Sequence, residues 1–507
     1  MTFDMYPSVS VARPGSPTPL AVLATAAAGT ALAFGLLQVS YVWTALFLVG
    51  LTVIAGSFVA KDAKLYWLLI FLVAIPINIT KMFFFTPDDI DRLMRSHRLF
   101  VNEIVVPFLH LSDLPLLVLL AFWLGEIVRE RKRVHVPRGL LLAVAFVLWC
   151  LLTSLTARAP DLALAWLFYE AKYVGLVLWF ANAALSRKAV TMVFAALLIC
   201  LLAQGVLVIT SYKFQLGSNF YGDLFGARET RQSKSFARHA GEGYVYETGS
   251  ELRGSGTIGV GNETAKYLVP LIPLAMAGAL LAPGMVYRAL GLLAFGAGFA
   301  GLYFTFSRGG LLSAMVGLGL VPLLMAARGL ISRKALVALV TAGLVMLAAS
   351  VPVFYYYFTT RPGFYDLRLK HMRYGLQILA KNPIVGVGAN NFNVSLSKYD
   401  YGGVFAAMPI HNHYLRLAIE TGLVGLVLYL SFFAWIAVLA YRSMWSNDAL
   451  LTAMAIGLCS GIVGSTVHWF DDLFYGPAVS TQWWTLCGLV LVIHQHATRS
   501  PASPSEQ

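Results

Sequence analysis

The feature that most constrains this chain is a train of apolar runs, each near the ~20 residues that carry a helix across a bilayer. They fall near residues 20–37, 41–60, 65–85, 111–128, 139–156, 163–185, 189–211, 263–282, 289–306, 310–327, 335–354, 413–440, 449–467 and 480–494. That spacing predicts about fourteen spans. Only 12% of the residues are charged, about half the ~25% of a soluble protein, and the mean hydropathy is +0.72. The expected architecture is therefore an all-α, polytopic integral membrane protein. Residues 20–494 form one membrane domain, with disordered cytoplasmic tails at 1–19 and 495–507. The run from Leu20 to Leu37 has the look of a signal peptide, but its basic flank is Arg13 alone and many runs follow. It reads as a retained first span.

The formal net charge of +13 does not point to nucleic acid, because the basic residues fall mainly in short loops, as membrane topology demands. The most basic short loop, Arg129 to Arg138, is placed in the cytoplasm. Counting outward puts Lys61–Lys64, Arg187–Lys188, Arg288, Arg328–Lys334, Arg442 and both termini on the same side. The opposite side then carries the long loops 212–262 and 355–412, the segment Thr86–His110 and the minimal break Ser307-Arg308-Gly309-Gly310. Long loops on one face are where function concentrates. The segment Thr86–His110 reads as a lid or an interfacial helix. The four cysteines, Cys150, Cys200, Cys459 and Cys487, lie inside apolar runs and read as small packing residues.

Chemistry concentrates where polar groups meet the ends of these runs. After Pro409 come His411, Asn412 and His413, then a run that also holds Arg416 and Glu420. Polar groups in such a place face protein or a water-filled cavity, and a histidine there can take a proton from a hydroxyl near neutral pH. An interfacial His and Tyr belt is the plainer reading. His411 and His413 point apart on a helix and lack a third ligand, so a metal pair is not expected. In the break, Ser307 can cap the following helix, whose positive end joins Arg308 in a site suited to phosphate; the alternative is a loop arginine that snorkels to the membrane interface. The first long loop carries Lys213, Arg228, Arg231, Lys234, Arg238 and Arg253 among glycines and leads through Asn262 to Lys266. It reads as a basic lid or a solvated linker. In the second long loop, residues 365–381 form a basic amphipathic helix with Leu369, Met372, Leu376 and Leu379 in one stripe and Arg368, Lys370, Arg373 and Lys381 elsewhere. It rests on the membrane or covers a headgroup cavity. Asn382-Pro383 ends it, and Gly386-Val-Gly388-Ala-Asn390-Asn391-Phe392 follows as a tight turn. Glu170 and Lys172, inside a span, read as an internal ion pair. His468, Asp471 and Asp472 share the last outer loop and could approach His411.

Three pieces in this order, Ser307-Arg308-Gly309-Gly310, Asn382 to Phe392, and His411-Asn412-His413-Tyr414-Leu415 running to Glu420-Thr421-Gly422, resemble the O-antigen ligase and polymerase superfamily. Its members include O-antigen ligases, Wzy-type polysaccharide polymerases and protein O-oligosaccharyltransferases. The resemblance covers roughly Leu252 to Gly425. It implies a GT-C-like, inverting, metal-independent glycosyltransferase of lipopolysaccharide or exopolysaccharide biosynthesis, without a cofactor. It also implies the periplasmic face of a bacterial inner membrane. The donor would be a glycan on undecaprenyl diphosphate, and the acceptor a glycan, lipid A core or protein hydroxyl. A chain-length regulator is an implied partner of the polymerase members. Carried over residue by residue, His411 is the catalytic histidine, Arg308 and Arg253 hold the diphosphate, and Asn412, His413, Glu420, Lys266, Arg373 and Arg238 support. Polymerases carry an Arg-x10-Gly pattern in both long loops; Arg238 and Gly249 fit it in the first, and no arginine fits it in the second. The competing class is a transporter or flippase of lipid-linked oligosaccharide. Transporters place ionisable groups near the midplane of repeated halves, whereas here only Glu170 and Lys172 lie deep and the other groups cluster at one edge.

Overall fold

The computed structural model describes residues 41–81, 107–214, 216, 253–359, 363–396, 410–474 and 476–498. The chain divides into two units at Ala63 and Lys64. In the first, an apolar helix, α1, spans Tyr41–Val59. The second contains, in order, α2 (Ala63–Ala74), β1 (Thr80–Lys81), β2 (Leu109–His110), α3 (Asp113–Glu130), α4 (Leu140–Ser154), α5 (Pro160–Asn182) and α6 (Arg187–Lys213). These are followed by α7 (Gly261–Leu268), α8 (Leu271–Leu281), α9 (Met285–Phe304), α10 (Arg308–Ala327) and α11 (Arg333–Thr359). The last five helices are α12 (Gly363–Lys381), α13 (Phe392–Leu396), α14 (His413–Ser443), α15 (Ala449–His468) and α16 (Pro477–Thr498).

The helices begin where the sequence supplies caps. Ser186 accepts from the Ala189 amide, Ser307 from Gly310, Asn412 from Leu415, and Asp448 from Leu450 and Leu451. Each satisfies donors that a helix start leaves open. Pro160 opens α5, where its missing N–H costs nothing. Helix α16 runs to Thr498, past the expected end of the membrane domain at 494. The only pairing among the described residues is a two-residue antiparallel ribbon, with Thr80 opposite His110.

Among the described residues, seven helical segments are long and apolar enough to cross a membrane: α5, α6, α7 with α8, α9, α10, α14 and α15. Helices α2 and α4 are shorter apolar helices. The run 20–37 lies outside the described residues. Helix α15 is central, packed by α8, α10, α14 and α16. Small residues permit the approach: a Cβ on Gly461 would collide with the Pro270 carbonyl, and one on Gly457 would lie 2.5 Å from Leu274 Cα. Close backbone approach over small residues is how helices associate where lipid gives no hydrophobic drive.

Two expected runs are broken, and both breaks matter. The expected span 263–282 is α7 and α8, joined at Val269-Pro270. The run from His413 is one helix to Ser443 only across a break at Gly422, whose φ of +68° and ψ of 178° are non-helical. The amphipathic helix of the second long loop is present as α12, and the chain leaves it at Asn382-Pro383.

Candidate active site

The site is built on two short loops stitched together. The amide of His413 donates to the Trp469 carbonyl at 2.8 Å, and Asn412 Nδ2 donates to Phe470 at 3.3 Å. Tyr414 Oη donates to the Thr466 carbonyl at 2.8 Å. The start of α14 is thereby fixed against the end of α15 and the loop after it. Trp469, fully buried, anchors that loop among His413, Tyr429, Phe433 and Trp483.

This stitching brings Asp472 to His411. Burial pushes the Asp472 carboxyl up, but the Lys266 ammonium, then His411 and His468, outweigh it and hold it well below the usual carboxylate range. Lys266, on α7 and 1% exposed, bridges Glu263 Oε1 at 2.5 Å and Asp472 Oδ2 at 3.3 Å. A buried ammonium between two carboxylates is compensated on both sides, which a buried charge requires. His468, also 1% exposed, lies in the same field, and neither ring nitrogen makes a hydrogen bond among the described residues. Beside it, burial raises the Asp471 carboxyl against the opposing charges of Arg368 and Arg308, and Arg368 Nη1 lies 3.0 Å from Asp471 Oδ1.

The two arginines expected at the diphosphate converge on one wall of this cluster. The α9–α10 break holds Phe306 at a φ of +52°, a conformation that a bulky residue adopts only under constraint. The constraint comes from both sides. The Gly254 amide donates to Phe304 at 2.8 Å, and Arg253 Nε donates to the Thr305 carbonyl at 2.9 Å. Arg253 Nη2 also donates to Asn262 Oδ1 at 2.6 Å. Arg308 then stands half-buried at the first position of α10, where the helix end carries positive potential. Gly309 packs so tightly that a Cβ there would lie 2.5 Å from Asp471 Oδ2 and 3.0 Å from His468 Cδ2. Arginine, helix end, carboxylates and histidines thus share one patch.

Other expected residues fall elsewhere. His413 is buried, within 3.5 Å of Tyr429 Oη and edge-on to Trp469. It lines a small internal cavity with Glu170, Trp166, Tyr429, Trp483 and Trp484. Glu420 forms a buried pair with Arg416 at 2.9 Å and accepts from the Phe392 amide at 3.4 Å. Arg416 Nη2 reaches Asn390 Oδ1 at 3.3 Å. The turn 386–392 is docked on this pair: Val387 and Gly388 donate to Ile419 and Glu420 at 2.9 Å each. Glu420 therefore holds a loop against α14, away from His411. Arg373 is exposed on α12, and Arg238 lies outside the described residues. Lys172 pairs with Asp113 at 3.0 Å rather than with Glu170, because Asp113 is brought in by α3 from another run. Glu170 instead points Oε2, buried and without a hydrogen bond among the described residues, toward the aromatic cavity.

Residues 293–430 match a family model described as O-Antigen ligase, Wzy_C. Over that segment the chain is similar to the O-antigen ligase and Wzy-type superfamily. This is a family of ligase- and polymerase-type membrane glycosyltransferases. The matched segment takes in Arg308, the turn 386–392, His411 and Glu420; Arg253, Lys266 and Asp472, which complete the cluster, lie outside it. No curated protein matches. A solved structure titled "Structural coordination of polymerization and crosslinking by a peptidoglycan synthase complex" aligns over 72% of this chain and 99% of that one, at 19% identity and a TM-score of 0.38. That likeness is too slight to carry an argument.

Proposed function

We propose that this chain transfers a glycan from an undecaprenyl-diphosphate carrier to an acceptor hydroxyl, with inversion, at the periplasmic face of a bacterial inner membrane. The observation that carries the reading is the single patch in which the stitched loops bring His411 to Asp472, while Gly309, next to Arg308, packs against the adjacent Asp471. A base and a leaving-group cation held beside two neighbouring carboxylates of one loop are what displacement at an anomeric carbon needs. The acceptor oxygen bonds to the anomeric carbon as the bond from that carbon to the diphosphate oxygen breaks. The acceptor's proton passes to the His411 imidazole. Asp472, held ionised by Lys266, stabilises the imidazolium that results. The departing diphosphate gains one negative charge, on the oxygen that leaves the anomeric carbon, and Arg308, Arg253 and the α10 N-terminus stabilise it through an electrostatic arrangement already in place before the reaction.

The acceptor is lipid A core for a ligase, a growing chain for a polymerase or a protein hydroxyl. The reading is tested with purified protein in detergent and a lipid-linked glycan donor. Transfer to acceptor without a second compartment is the expected result. Donor that stays intact in detergent yet crosses the bilayer of proteoliposomes would make the chain a flippase. In cells, a deletion that leaves polymerised glycan on the carrier lipid indicates a ligase, and one that leaves single repeat units indicates a polymerase.

A further inference from the structure

Helix α12 has three faces rather than two. His371, Gly375 and Ile378 are buried, and Ile378 packs with Phe392, Leu396, Ile410 and Ile419. At 100° per residue, the exposed side splits into adjoining stripes. One is apolar, with Leu369 (45% exposed), Leu376 (55%) and Ala380. The other is polar and basic, with Lys370, Arg373, Gln377 and Lys381. Burial of one stripe against the protein accounts for folding; it does not account for large apolar side chains beside a row of cations on the outside.

The position of α12 relative to α14 says what meets that face. The 31 residues of α14 would extend about 46 Å as a continuous helix, well beyond the ~30 Å of a hydrocarbon core. The Gly422 break divides it. Residues 423–443 alone span about 31 Å, a match to the core, so Gly422 marks the level at which the helix leaves the hydrocarbon. The chain leaving α12 is clamped at that level: the Leu423 amide donates to the Pro383 carbonyl at 2.8 Å, and Gly422 packs directly on Ile384. Ile384 (62% exposed) and Val385 continue the outward apolar strip formed on α14 by Leu423, Val424 and Val427. A lipid-facing strip on a spanning helix thus runs without interruption into the turn and onto the apolar stripe of α12, with the basic stripe alongside.

We propose that α12 and the turn Pro383–Val385 are a docking surface for anionic phospholipid at the membrane boundary on the candidate-site side. Leu369, Leu376, Ile384 and Val385 enter the acyl boundary, and Lys370, Arg373 and Lys381 take phosphate headgroups, the pattern of an in-plane amphipathic helix. The inference does not depend on glycan transfer. It gives Arg368, five residues before Arg373 on α12 and paired with Asp471, a route by which the bilayer surface fixes one wall of the patch.

The test places single spin labels at Leu376, Gln377, Ile384 and Val385 in the full chain, in nanodiscs containing phosphatidylglycerol. Collision with oxygen and with a water-soluble nickel chelate is then measured. Labels at Leu376, Ile384 and Val385 should favour oxygen, while Gln377 should favour the chelate. Native mass spectrometry should show several-fold fewer retained phosphatidylglycerol molecules for a Lys370→Glu, Arg373→Glu, Lys381→Glu variant with an unchanged melting temperature. Chelate-accessible labels at Ile384 and Val385 would place the turn in water and overturn the proposal. Labels shielded from both reagents would mean that protein, such as a second copy, covers the face, and would overturn it equally. Unchanged lipid retention in the variant would remove headgroup recognition.

Discussion

At the scale of single residues, what a sequence shows is which groups are out of place, and what it hides is their partners. His411, Arg308 and Arg253 stand out in the sequence as candidates because each interrupts or borders an apolar run. Asp472 was expected in a loop that could approach His411, and Lys266 among the supporting residues, but their pairing at 3.3 Å and the stitching of residues 412–414 to 466–470 are tertiary events that no spacing encodes. Glu420 was misleading for the same reason, since its partners Arg416 and the Phe392 amide make it a clamp. Arg308→Lys should lose most of the activity at normal expression, on the order of the 10²–10³-fold seen when a preorganised donor is removed, because lysine lacks the bidentate fork. Near-full activity in Arg308→Ala would take it out of the patch. The pH dependence of stability has its own residue. Burial of the His110 ring, chiefly, lowers its pKa from 6.5 to about 4, with Asp113 working against that shift. A group held neutral in the fold is cost-free above the unfolded pKa and opposes folding as pH falls from 6.5 toward 4. Wild type should therefore lose up to roughly 3 kcal/mol over that range, and His110→Asn should lose less; parallel melting-versus-pH curves for the two would contradict this.

At the scale of elements, apolar length announced the helices well, and composition could not announce their breaks. Gly422 follows Glu420 and Thr421 inside the expected run 413–440, which carries through it, yet its positive φ and its packing on Ile384 set both the end of the membrane-length segment and the seat of the turn 383–392. Pro270 was visible as a proline but did not say that α7 would carry Lys266 as a separate element. Gly422→Ala should destabilise by at least ~1–3 kcal/mol, read as a lower melting temperature in detergent, because a Cβ there is both strained and obstructed. Removing one side of the buried pair nearby, Glu420→Gln, should cost on the order of 3–5 kcal/mol. A Glu420→Gln protein that melts normally but has lost transfer would return Glu420 to the chemistry.

At the scale of the whole molecule, the proposed site and the most basic short loop lie at opposite ends of the helices. Lys132 and its neighbours in 131–136 lie exposed in a loop between α3 and α4, the most basic short loop, whereas the proposed site forms at the opposite ends of α7, α10, α14 and α15. A cysteine at Val134 should stay unlabelled by an impermeant thiol reagent in spheroplasts, and one at Gln377 should label; the four native cysteines are buried and give little background. The reverse pattern would invert the topology and with it the periplasmic reading. The central claim, that His411 receives the acceptor's proton beside an ionised Asp472, is tested most directly by single-turnover transfer from a lipid-linked glycan with wild type and His411→Ala, at saturating donor. The account predicts a rate loss of ~10²–10⁴-fold or more with donor binding and melting temperature retained, unrelieved by more donor, and a measurable rate in His413→Ala. A His411→Ala protein that transfers glycan at near the wild-type rate would contradict it.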